Sequence, residues 1–127
     1  MNREEILNMP AGREMDVLIA DFVTHKAKPK DAELIGGEWT TNFDGDDWEF
    51  WPPYYSTDVA AAWEVLDLIS GRFFMIQILR WDFQGGITIV LQPRKGHDEI
   101  NPHITVWAET LPLSVCRAVL IATLEAQ

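Results

Sequence analysis

The chain predicts an α+β protein, a three-layer α-β-α sandwich around a small, mainly antiparallel sheet. Three observations carry this reading. Helical apolar periodicity appears near both ends of the chain and in its middle. Two strand-like runs, "RFFMIQILRWDF" and "GITIVLQ", are apolar in both phases, and a strand apolar on both faces needs cover on both. The stretch "DFQGG" between them reads as a hairpin loop, which makes the pair antiparallel. Helices on two sides of such a sheet make three layers.

Each element can be justified in turn. "NREEILNM" is a short helix capped by Asn2, with Glu5 at capping-box spacing and Pro10 as the stop. "AGREMDVLIADFVTH" is the second helix, with Met15, Leu18, Ile19 and Phe22 on one apolar stripe. From Lys26 to Tyr55 the helical pattern is lost. "KAKPKDAELIGGEW" reads as a linker. "GEWTTNFDGDDWEFWPP" reads as a hairpin with arms "EWTTNF" and "WEFW" and the turn "DGD". Ser56 or Thr57 is then the N-cap of a third helix, and Asp58 in its first turn complements the dipole. Val59, Ala62, Trp63, Leu66 and Ile69 or Ser70 form its buried stripe, and Gly71 ends it as the C′ residue.

In the strand that follows, Phe74, Ile76 and Ile78 face one way and Phe73, Met75 and Leu79 the other, with Gln77 the exception. "HITVWAET" is a third strand. "PLSVCRAVLIATLEA" is the last helix, with Thr110 as cap and Pro112 in the first turn. It is apolar almost all round, so it should be well buried.

At 127 residues the chain predicts one sandwich domain spanning 1–127, with an acidic, aromatic-rich insert at about 26–55. A chain of this length buries roughly two thirds of its unfolded surface and needs no disulfide or metal staple. Cys116 is the sole cysteine, in an apolar helical run, which suits a reducing cytosol and a buried role. No targeting segment or membrane span is visible, so a soluble, cytoplasmic protein is expected.

Charge is the most informative total. The net charge is −10. Residues 31–70 hold ten acids and no Lys or Arg, while the flanking segments each balance five acids with five bases. That stretch would repel a phosphate backbone, so no direct nucleic-acid partner is expected. A basic protein surface would be attracted.

Three stretches resemble a known family: "MPAGREMDVLIAD" (9–21), "YSTDVAAAWEVLD" (55–67) and "AETLPLSVCRAVLIATLE" (108–125). They are similar to the phage ABA-sandwich domain of small phage- and prophage-encoded proteins. The resemblance covers most of the chain and is weaker in the strands and in residues 24–50. It implies an α-β-α sandwich and a phage origin, and it transfers no catalytic residues.

Catalytic signatures are absent. "DGDD" fails the calcium-loop pattern, since counting from Asp44 the fifth position is Trp48 and the twelfth is Tyr55. His97 and His103 flank Asp98 and Glu99 without zinc spacing. There is no P-loop, no G-x-G-x-x-G and no G-x-S-x-G elbow. The expectation is a protein that is not an enzyme and that takes no metal or cofactor.

Binding is the better-supported class. Trp39, Phe43, Trp48, Phe50, Trp51, Tyr54 and Tyr55 crowd into residues 39–55. Two hypotheses divide them, sequestration slightly ahead of docking, with an accessory phage role as a third alternative. The first is sequestration of a small nucleotide-type immune signal as a counter-defence sponge. Helix mouths at Ser56, Thr57, Asp58 and at Thr110 would supply amides. Trp51, Tyr54 or Tyr55 would stack on a base, and Arg13 or Arg117 would meet a phosphate. A homodimer rests on likeness of role to other sponges, not on any residue. The second is protein docking, in which Trp39, Asp44, Asp46, Asp47, Trp48 and Glu49 meet a basic surface of a host defence complex.

Overall fold

A computed structural model of the chain describes residues 1–43, 47–80, 85–93 and 103–125, and the side chains at 42, 43, 47, 48, 72 and 74 are not described. The first two helices are α1 (Arg3–Asn8) and α2 (Arg13–Ile19), the latter running on through a π-helical turn, Ala20–Thr24. Three strands follow: β1 (Glu33–Ile35), β2 (Glu38–Phe43) and β3 (Asp47–Trp51). Helix α3 (Val59–Ile69) and a 3₁₀ turn, Ser70–Arg72, lead into β4 (Phe73–Arg80), β5 (Ile87–Pro93) and β6 (Ile104–Ala108). Helix α4 (Leu111–Glu125) comes last. The strands make two separate antiparallel sheets, ordered β1-β2-β3 and β4-β5-β6.

The centre of the protein is α4. Every residue from Pro112 to Ala122 is buried, as expected of a helix that is apolar all round. It packs against β5 and β6 on one side and against α1, α2 and α3 on others. The strands answer by alternation. Ile89 and Leu91 of β5 and Ile104, Val106 and Ala108 of β6 are buried against it, while Thr105 and Trp107 point away and stay exposed.

The α+β class and the antiparallel pairing are as the sequence predicts. Helix α4 packs on the main sheet, and α1, α2 and α3 pack on α4. Gln77, Val90 and Thr105 share a register row on the opposite face. Gly86 sits at the start of β5 because a side chain there would meet the Ala108 carbonyl oxygen at 2.5 Å and the Trp107 ring at 2.6 Å.

Several local expectations are corrected. The π-helical turn after Ile19 adds a residue to the helix, so Val23 turns to the core and Phe22 is left 44% exposed. The linker contains strand β1, joined to β2 through Gly36 and Gly37, both at positive φ, with Ile35 paired to Glu38. That is a two-residue hairpin of the primed type, for which Gly-Gly is the sequence signal. In α3 the buried side is Ala62, Val65, Leu66 and Ile69, whereas Val59 and Trp63 are exposed. Gly71 lies inside the 3₁₀ turn, without the left-handed conformation of a C′ residue. An irregularity between Phe73 and Met75 puts Phe73 opposite buried Pro93, so it joins Ile76 on the α4 side.

Candidate functional site

The residues predicted to bind lie in two places. One is the joint where the small sheet meets α2 and α3. The other is the far side of α4.

At the joint the organising residue is Asp16, which is fully buried on α2. One carboxylate oxygen accepts from the Ser56 backbone N–H at 2.8 Å and from the Ser56 hydroxyl at 2.7 Å. The other accepts from Arg13 Nη1 at 2.9 Å. The Ser56 hydroxyl oxygen in turn accepts from the Gly12 N–H at 2.9 Å. This satisfies a buried charge with charge-assisted bonds and joins two segments forty residues apart in sequence.

Arg13 extends the joint to the small sheet. Its Nη2 lies 2.9 Å from Glu38 Oε2 on β2 and donates to the Pro52 carbonyl at 2.5 Å. The guanidinium carbon stands 4.1 Å from the centre of the Tyr54 ring, and Tyr54 meets Phe50 edge-on at 6.1 Å. Trp51 is half-buried and donates from Nε1 to the Lys26 carbonyl at 2.8 Å. The Trp51–Pro52 peptide is cis.

The helix mouth is therefore already occupied by the chain itself. Ser56 is not the cap of α3. Asp58 is, and its Oδ1 accepts from Ala60 N at 3.3 Å. Both residues have cap chemistry, and the contact of Ser56 with Asp16 decides between them. Tyr55 is buried, with its hydroxyl 3.2 Å from Thr24 Oγ1, and burial pushes its phenol above the ordinary tyrosine range. Thr57 is exposed. At the other helix mouth, Thr110 Oγ1 accepts from Leu113 N at 3.4 Å, a long capping bond.

The partner-binding candidates fare differently. Trp39 lies under Lys28, whose Nζ is 3.6 Å from the ring centre. Glu49 is exposed and lines a cleft of about 210 Å³ with Lys26, Pro29, Thr41, Phe50, Trp51 and Pro53. Asp47 and Trp48 lie on β3 opposite Phe43 and Asn42, but their side chains are not described. Asp44 and Asp46, like His97, Asp98 and Glu99, lie outside the described residues. The segregation of charge in sequence is thus softened in space. Arg13, Lys26 and Lys28 fold back from outside residues 31–70 onto the acidic sheet.

The fold has a solved counterpart. It is similar to the crystal structure of a phage protein from Bacillus cereus ATCC 14579, with a TM-score of 0.57 and 19% sequence identity over 91% of this chain and 94% of that chain. No family model and no curated protein matches the chain. At that identity the likeness concerns the fold.

Arg117, the last candidate, takes no part in the joint's hydrogen bonds. It is 7% exposed, with Nη2 donating to the Met9 carbonyl at 2.9 Å and Nη1 to the Trp107 carbonyl at 3.4 Å. Among the described residues no group of His, Cys, Asp and Glu is placed to hold a metal, and no helix is long and apolar enough to cross a membrane. Burial pushes the Cys116 thiol far above its usual range, which keeps it inert.

Sequence reasoning missed Asp16, Gly12 and Glu38. Asp16 left a signal. It sits between Met15 and the Ile19 stripe on the core side of its helix, three residues from Arg13. A carboxylate in that position must be paired.

Proposed function

We propose that the protein is a phage-encoded, non-enzymatic binding protein that acts in counter-defence by docking on a basic protein surface through its small sheet. One observation carries the reading. None of the described side chains of Glu33–Phe50 belongs to the buried apolar core, yet the Arg13–Glu38 ion pair ties the segment to the polar joint built on Asp16. The joint holds a surface in place rather than filling an interior.

That surface has the composition of a docking patch. On one face of the small sheet Ile35 is 50% exposed and Phe50 45%, with the exposed Glu33; on the other Leu34 is 60% exposed. Apolar anchors beside exposed acids suit a partner that offers basic groups around an apolar depression. The phage origin rests on the resemblance of the three stretches and on the fold shared with the Bacillus cereus phage protein. Sequestration of a nucleotide-type signal at the helix mouths is less well supported, because Ser56, Asp58 and Thr110 spend their polar groups inside the chain.

The test is co-purification from a host that carries defence complexes. A Leu34→Asp/Ile35→Asp variant changes exposed residues and should melt like the parent. The expected result is a host protein that co-elutes with the parent, is released by salt and is lost with the variant. Identical co-purification by both proteins, or none by the parent, contradicts the reading.

A further inference from the structure

The structure points to a second site: we propose that Arg117 forms the cationic floor of a binding site for an oxyanion, the carboxylate or phosphate of a small molecule. The proposal stands apart from the docking surface, because Arg117 lies beside α1 and β6 and the small sheet lies beside α2. Either can fail alone.

Arg117 is more than nine-tenths buried, and a guanidinium stays charged at any pH a protein survives. A buried charge is costly to leave without a counter-charge. Among the described residues no carboxylate lies within ion-pair distance of it, and the ion pairs that do occur belong to Arg3 and Arg13. Its partners are two neutral carbonyls, one at the long distance of 3.4 Å. Its Nε–H is buried with no partner at all. A guanidinium has five N–H groups; two are used, which leaves three.

Space for a counter-charge adjoins the cation. Arg117 lines a cleft of about 520 Å³ together with Leu7, Asn8, Thr105, Trp107 and Glu109, within the range of small-molecule sites. Trp107 contributes its backbone carbonyl beside Arg117, and its indole, held by donating to the Gly85 carbonyl at 3.1 Å, gives a fixed reporter next to the cleft. The cleft thus sets a planar cation, with no carboxylate partner among the described residues, beside the apolar Leu7. An oxyanion on a partly apolar body matches both. Glu109 lines the same cleft and repels an anion, so it limits affinity, and Glu109→Gln should tighten binding.

The direct test is nuclear magnetic resonance on the ¹⁵N-labelled full chain, titrated separately with sodium phosphate and sodium acetate against sodium chloride at constant ionic strength. The expected result is a saturable shift of the Arg117 Nε–H and Trp107 Nε1–H signals in at least one of the two arms, half-complete at about 10 mM or below, with none in chloride. A response to phosphate assigns phosphorylated ligands, and a response to acetate assigns carboxylates. Arg117→Met should abolish the Trp107 response. Arg117→Lys keeps the charge without the fork and should weaken binding at least ~10-fold; it decides the matter where the methionine variant does not fold. Unsaturated shifts in every arm, or unchanged binding by Arg117→Lys, overturn the site.

Discussion

Arg13 and Arg117 are both drawn into the protein, and they are neutralised in opposite ways. The Arg13 side chain is 30% exposed, yet it meets two carboxylates, one carbonyl and one aromatic ring. Arg117 is 7% exposed and meets two carbonyls. The deeper cation is the less compensated. Desolvation penalises charge more as burial increases, so a pair of arginines serving stability alone would show the reverse. The difference separates a joint, where charges are consumed in holding two parts together, from a cation left with donors to spare.

The sharpest way to break the comparison is to make Arg13 resemble Arg117. Asp16→Ala removes the buried carboxylate, leaves Arg13 with Glu38 as its remaining counter-charge and strands the buried Ser56 amide and hydroxyl. Its expected effect is the largest, a loss of about 3–5 kcal/mol in denaturant unfolding. A loss below about 1 kcal/mol would mean that water enters the joint freely. Ser56→Ala deletes the hydroxyl but keeps the backbone bond to Asp16. It should lose about 1–3 kcal/mol, since the Gly12 amide and one Asp16 lone pair go unmet. Arg117→Met is expected to behave differently from both. Replacing an uncompensated buried cation by a hydrophobe of similar volume should leave stability unchanged or raise it by up to about 2 kcal/mol. A loss as large as that of Asp16→Ala would show that Arg117 serves the fold rather than a ligand.

A smaller effect appears in alkali. The folded-state pKa of Tyr55 is raised by burial, so the folded protein holds that proton longer than the unfolded chain does. The contribution to stability is complete below the ordinary tyrosine range near 10 and is lost as pH rises through the raised value. Tyr55 should ionise late in an ultraviolet titration, together with unfolding. Its ionisation in the ordinary tyrosine range with the protein still folded would contradict its burial.

Much of the fold was legible because its causes are local. Asn2 caps α1 with its side chain on Glu5 N, Thr110 caps α4, and the arms of the β2–β3 hairpin fall where alternation placed them. The burial of α4 followed from its having no polar side. The Gly36–Gly37 turn was legible too, since Gly-Gly between strand-forming residues is a hairpin signal, but the surrounding lysines and proline suggested a linker. What no local rule supplies is the partner of a side chain. Ser56 and Asp58 are equally good caps in sequence, and only Asp16, forty residues away, assigns them different work. The π-helical turn that exposes Phe22 is likewise invisible to a regular period.

The candidate site was half-legible for the same reason. Its residue types were right for anions and for stacking, and the contacts that use them up were hidden in tertiary structure. Arg13 was named as a phosphate ligand and is the pin of the small sheet. Arg117 was named in the same role and has no carboxylate partner among the described residues.

The account turns on whether Arg13 holds the small sheet to the body, and hydrogen exchange on Arg13→Gln measures this directly. The expected result is faster exchange, by about tenfold or more, confined to the backbone amides of Glu33–Phe43 and Asp47–Trp51, with α4 from Leu111 to Glu125 as protected as in the parent. Unchanged protection in the small sheet, or an equal loss in α4, would contradict the joint.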